Sequence, residues 1–413
     1  MFKQTMIATL VAASIGFSAN AAWAVPHQPS DWALANIDKT TLKSLKRQYG
    51  VGPYPQEIDA FLVDKPESLR PLYRSLFVEG TRNATLNLLR IALAAVELGD
   101  YARAEETLDA ALARIETVYA DDPRAAKARS LWAKESVKDW KGEPYERAMA
   151  YYYRGLLYLR EGDFENARAS FRQAEFQDTV AEQEEFSSDF ALMNYMAGWA
   201  SHCARDTASA DELFAIARQH NPALAPPEAH ANVLLISELG GSPRKRAEGE
   251  HNELLVIEGS ADPGPASVSF ALGAGMQPIA AVEASSVTFQ ATTRGGRAVQ
   301  SILDGKARFK DTAETVGEVA QGAGMAAMYM GATGNHSDLA AAGALFAVGG
   351  MLASAVAEAA KPDADTRYWD NLPSSVVLAA TTSATSVSVS VAYDGEQRPA
   401  VALTPSGASC TVV

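Results

Sequence analysis

The stretch from 142 to 175, GEPYERAMAYYYRGLLYLREGDFENARASFRQAE, spaces small and aromatic residues as a pair of packed helices requires. Gly155, Ala167 and Ala174 are small, Tyr151, Tyr158 and Phe171 are large, and Gly162-Asp163 stands between the two runs. Small residues let two antiparallel helices approach closely, the rings fill the groove between them, and glycine supplies the turn. The dense array of tyrosines, arginines and carboxylates is therefore read first as packing. Pro144 opens the first helix, where its missing N–H costs nothing. Neither helix buries its stripe alone, so further pairs must stack on this one.

The same template fits twice more. Upstream, TLNLLRIALAAVEL precedes Gly99-Asp100-Tyr101, Ala104, Leu108 and Ala111; downstream come Gly198, the turn Arg205-Asp206-Thr207, Ala210, Phe214, Ala217 and Pro222. This order of residues is that of a tetratricopeptide repeat, and three pairs are enough for a stable solenoid. The pairs are not contiguous, and the segment 112–141 is read as a helical insertion.

The pattern then changes. AHANVLLISEL (229–239) reads as a last helix, and GGSPRKRAEGE, within 240–252, as a solvated linker. From 253 the runs LLVIEG, ASVSFAL, IAAVEA and SSVTFQATT read as strands. So do SSVVLAATT, TSVSVSVAYDG and RPAVALTP near the end, with Asp394-Gly395 as a hairpin turn. Between these two β stretches, at about 305–360, lies an insertion poor in charge. Its hairpin, 319–357, ends in the uncharged run Leu339–Ala357, in which 12 of 19 residues are Gly, Ala or Ser. Such a helix packs closely, either in a core or, given its length, against lipid or another subunit. The expected fold is thus α+β: an N-terminal tetratricopeptide-like solenoid (25–239), a linker (240–252) and a β-rich domain (253–413) carrying a small-residue helical hairpin.

The first 24 residues place Lys3 before an apolar run and end in Ala22-Trp23-Ala24, the pattern of a cleaved secretory leader. An exported chain with a formal net charge of −14 is repelled by nucleic acid and anionic lipid surfaces. Export permits a bridge between Cys203 and Cys410, although Cys203 falls in an apolar helical pattern that suits a buried thiol. Six histidines show no metal-binding spacing, and Gly273-x-Gly275 lacks the third glycine of a nucleotide fingerprint. Carboxylate pairs such as Glu105-Glu106 and Glu184-Glu185 sit on polar faces or loops. No cofactor, metal or catalytic constellation is expected, and the chain is read as a non-enzyme. The candidate binding surface is the concave side of the solenoid, where Tyr152, Arg154 and Arg160 would meet a protein partner, unless Tyr152 and Arg154 instead pack against the preceding helix. Tyr145, in the Gly142–Tyr145 stretch that the repeat template does not require, is a further candidate.

The run GEPYERAMAYYYRGLLYLREGDFENARASFR, together with ADTRYWDNLP at 364–373, resembles a family of tetratricopeptide-like envelope proteins of Gram-negative bacteria. The resemblance covers most of the chain after the leader. It implies export, often as a lipoprotein, a non-enzymatic role, and association with outer-membrane or cell-wall machinery. This chain departs from the lipoprotein pattern because no cysteine follows Ala24 at the cleavage site.

Overall fold

The fold is that of a computed structural model, which describes residues 55–119, 139–140, 142–179, 189–249, 254–273, 276–294, 364–384, 386–403 and 410–413. The expected leader (1–24) and the expected helical hairpin (319–357) lie outside the described residues. Helices α1 (Pro55–Leu62) and α2 (Arg70–Glu79) lead into three antiparallel pairs. These are α3 (Ala84–Glu97) with α4 (Tyr101–Tyr119), α5 (Pro144–Glu161) with α6 (Phe164–Thr179), and α7 (Ala191–Cys203) with α8 (Thr207–His220).

Each pair turns in the same way. Asp100, Asp163 and Asp206 accept the amides of Arg103, Asn166 and Ser209 at 3.3, 3.2 and 3.2 Å, and so cap the second helix of their pair. Gly162 sits at φ +79°, the left-handed conformation that ends α5. The interior positions read from the template are buried in all three pairs: Ala104, Leu108 and Ala111; Ala167, Phe171 and Ala174; Ala210, Phe214 and Ala217.

The strands follow as β1 (Val233–Leu239), β2 (Arg244–Glu248), β3 (Leu254–Glu258), β4 (Val268–Leu272), β5 (Ile279–Ala280) and β6 (Val282–Ser286). After α9 (Val287–Arg294) come β7 (Ser375–Thr381), β8 (Val387–Tyr393), β9 (Glu396–Gln397), β10 (Val401–Leu403) and β11 (Thr411–Val412). One sheet runs β11-β1-β7-β6, and its centre is the antiparallel pair β1–β7, in register from Val233 opposite Thr381 to Leu239 opposite Ser375. A second sheet runs β10-β8-β4-β5, with β9 joined to β8 through the Asp394-Gly395 turn. β2 and β3 form a separate ribbon.

Alternation along β1 and β7 stacks three layers. Leu234, Val376 and Leu378 join the helical core, whereas Val233, Leu235, Val377 and Ala379 pack on Val268, Phe270, Val389 and Leu403 of the second sheet. Ser237 Oγ and Tyr393 Oη, 2.9 Å apart, tie the two sheets together.

Three expectations need correction. The segment 229–239 is not a helix, since its last seven residues are strand β1. With a core on both faces it opens on the apolar run Val233–Ile236, which periodicity cannot separate from a buried helix. SSVTFQATT is not wholly strand: Ser286 Oγ accepts the Phe289 amide at 3.1 Å and starts α9. The linker at 240–252 contains β2, paired with β3 from Arg244 opposite Glu258 to Glu248 opposite Leu254. In addition, Cys203 is bridged to Cys410, with Cα atoms 5.6 Å apart, rather than being a buried thiol.

Candidate functional site

The helix α5 begins at a buried junction. Glu143 is its N-cap, Pro144 its first residue and Glu146 its third, and the Glu146 carboxylate closes a capping box by accepting the Glu143 amide at 2.7 Å. The same carboxylate accepts two donors from distant parts of the chain. Lys245 Nζ reaches Oε2 at 2.7 Å and the Trp369 amide reaches Oε1 at 2.7 Å, while Lys245 lies 3.5 Å from Glu143 Oε1. The side chains of Glu146 and Lys245 are 0% and 2% exposed.

Lys245 is inside because a strand turns alternate residues to opposite faces: Arg244 and Arg246 point to solvent and the residue between them does not. Trp369 comes from the turn after Arg367, where Ser242 Oγ donates to its carbonyl at 2.8 Å and its ring meets Tyr153 edge-on at 5.8 Å. Further bonds fix that turn to the first helix pair. Trp140 Nε1 donates to the Arg367 carbonyl at 3.2 Å, Arg367 donates to Asn83 Oδ1 at 2.7 Å, and Arg90 pairs with Asp370 at 2.7 Å. The two stretches behind the family resemblance therefore meet in space.

Burial pushes the Glu146 carboxyl above the usual carboxylate range, although Lys245 pulls it back. Burial alone would depress Lys245, but Glu146 and then Glu143 outweigh it and hold the ammonium above its ordinary value. A closed ion pair of this kind has no room for a substrate and acts on the fold, fastening the ribbon and the Trp369 turn to the repeat. Among the described residues no group of three or more His, Cys, Asp or Glu is arranged to hold a metal ion. Among the same residues no helix is long and apolar enough to cross a membrane.

Of the four expected partner-binding residues only Arg160 is exposed. Tyr145 and Tyr152 are 0% exposed and Arg154 is 5%, so none of these three faces solvent. The reason lies in the groove. The whole of α7 from Ala191 to Ser201 is buried, as is most of α5, and the atoms that cover them include Leu234, Ala284, Val287, Ala291, Val376 and Leu378 of the chain's own sheet and α9. Arg154 instead pairs with Asp109 at 2.7 Å and Glu105 at 2.6 Å on α4, and lies 3.8 Å over the Tyr158 ring. Burial works against its charge, and Asp109 leads the groups that more than offset this. Arg160 stacks 3.6 Å over Tyr101, so both arginines join one repeat to the one before it. Sequence reasoning missed Glu146, Lys245 and Trp369. The Glu-Pro-x-Glu start of a helix and the alternation in Arg-Lys-Arg were the available signals.

Residues 145–175 match the tetratricopeptide repeat family, a span that takes in α5 after Pro144 and α6 as far as Glu175. No curated protein and no solved structure matches the chain. Such repeats are generally modules for contact between proteins. The chain is tetratricopeptide-like, and its matched repeat is the one that begins at the buried Glu146–Lys245 pair.

Proposed function

We propose that the protein is a non-enzymatic scaffold of the cell envelope that binds a protein partner through the outward side of its helical repeats. The observation that carries this reading is the filled groove. With α5 and α7 sealed by the chain's own sheet, the repeat surface left for a partner is formed by the second helices and the turns, where Arg160 lies over Tyr101. Export is supported by the leader at 1–24 and by the Cys203–Cys410 bridge, since disulfides persist in oxidising compartments. A photo-crosslinking residue at position 160 in living cells should give a discrete adduct that the same residue at position 396, on the outer sheet, does not. Folded protein that yields no adduct from 160 would refute the reading.

A second reading rests on the uncharged run Leu339–Ala357, through which the protein would associate with membrane or oligomerise. Recovery of all the protein as a soluble monomer after cell fractionation removes it.

A further inference from the structure

The last residues of the chain form β11, at the edge of the first sheet and parallel to β1. Three main-chain bonds hold this tail: Thr411 N–H to the Asn232 carbonyl at 2.8 Å, Val413 N–H to the Leu234 carbonyl at 2.9 Å, and Ile236 N–H to the Val413 carbonyl at 2.8 Å. Val412 packs toward the helical core and Val413 toward the core between the sheets, and both are half-buried. The bridge to Cys203, at the end of α7, lies immediately before the strand and joins residues 207 apart. A few backbone bonds and two half-covered valines are comparable in size to the entropy of ordering the four residues 410–413. The covalent tether decides the balance, because it removes most of the freedom the tail would regain on leaving.

We propose that the β1 edge at 232–236 is a strand-acceptor site gated by the Cys203–Cys410 bridge. When the bridge is closed the chain's own tail occupies the site; when it is open the site takes an extended apolar segment of a partner protein, laid parallel to β1. The chemistry of that segment follows from the resident tail. It offers amide and carbonyl groups to Asn232, Leu234 and Ile236, and aliphatic side chains that alternate between the two cores. Opening requires a dithiol reductant. Its thiolate attacks one sulfur of the bridge and its second thiol resolves the mixed disulfide, so Cys203 and Cys410 leave as thiols and the reductant leaves as its own disulfide. This site is independent of the outward repeat face, and either can fail without the other.

The test uses the full chain oxidised and after treatment with dithiothreitol, a chain ending at residue 409, and a fluorescent peptide of residues 406–413 with serine in place of the cysteine. Reduction should lower the hydrogen-exchange protection of the Ile236 amide by about tenfold or more. The peptide should bind the shortened and the reduced chains but not the oxidised chain, and a scrambled peptide should bind none of them. The Cys410→Ser variant keeps every main-chain group of the tail and covers the case in which the shortened chain does not fold; its Ile236 amide should be as exposed as in the reduced chain. Unchanged Ile236 protection after reduction and in Cys410→Ser overturns the proposal. So does a folded shortened chain that leaves the peptide unbound.

Discussion

The Lys245 ammonium is the only cation on the buried Glu146 carboxylate among the described ion pairs. Removing it leaves a carboxylate in a dry site, a change that costs about 3–5 kcal/mol in comparable cases. Lys245→Met should lower stability by that order in urea unfolding, and adding Glu146→Gln should recover more than half, since the stranded charge is then gone. The pH dependence follows from the direction of the Lys245 shift. The folded chain holds the lysine proton more tightly than the unfolded chain, whose value is near 10.5. The contribution is complete below that value and is lost as pH rises through the higher folded one. The gap between wild type and Lys245→Met should therefore narrow above pH about 10.5. Little of this was legible beforehand. The sequence shows PRKR as a charge run, and nothing local to it announces that its middle residue meets a carboxylate about a hundred positions earlier.

At the scale of elements, the repeats were legible because their signal is local and steric. Gly155 faces Phe171 and Gly198 faces Phe214; a Cβ at Gly155 would meet the Phe171 ring at 2.5 Å, and one at Gly198 would meet Phe214 at 2.9 Å. The upstream pair carries Ala92 and Leu108 at the equivalent positions, and both are buried. Gly155→Ala should cost about 1–3 kcal/mol through overpacking, less the gain in helix propensity of about 1 kcal/mol. Gly155→Ala combined with Phe171→Leu should then be more stable than Gly155→Ala alone, which thermal unfolding of the two variants and the wild type measures. The concave surface was misread for a different reason. Tyr152 falls on the face that a free solenoid exposes and is covered there by a sheet whose strand β7 lies more than two hundred positions downstream, whereas Arg154 turns to Asp109 and Glu105 of the preceding repeat.

For the whole molecule, helices and first sheet share one continuous core, with the sheet-side core stacked behind it. A chain ending at residue 225, before β1, would leave α5 and α7 with bare apolar faces. It should bind hydrophobic dyes and aggregate, while the full chain unfolds in a single transition followed equally by far-UV circular dichroism and by the fluorescence of the buried Trp140, Trp199 and Trp369. The order of assembly follows from the β1–β7 pairing. Its register joins residues 233–239 to 375–381, and β11 (Thr411–Val412) adds to β1 at one edge. During synthesis the helical pairs emerge first and wait with an empty groove, since the sheet that fills it is incomplete until β7 and β11 have been made. Until those strands arrive the bare apolar faces of α5 and α7 are open to other chains, so the interval between making the helices and making β7 is the one in which the protein most needs protection from aggregation.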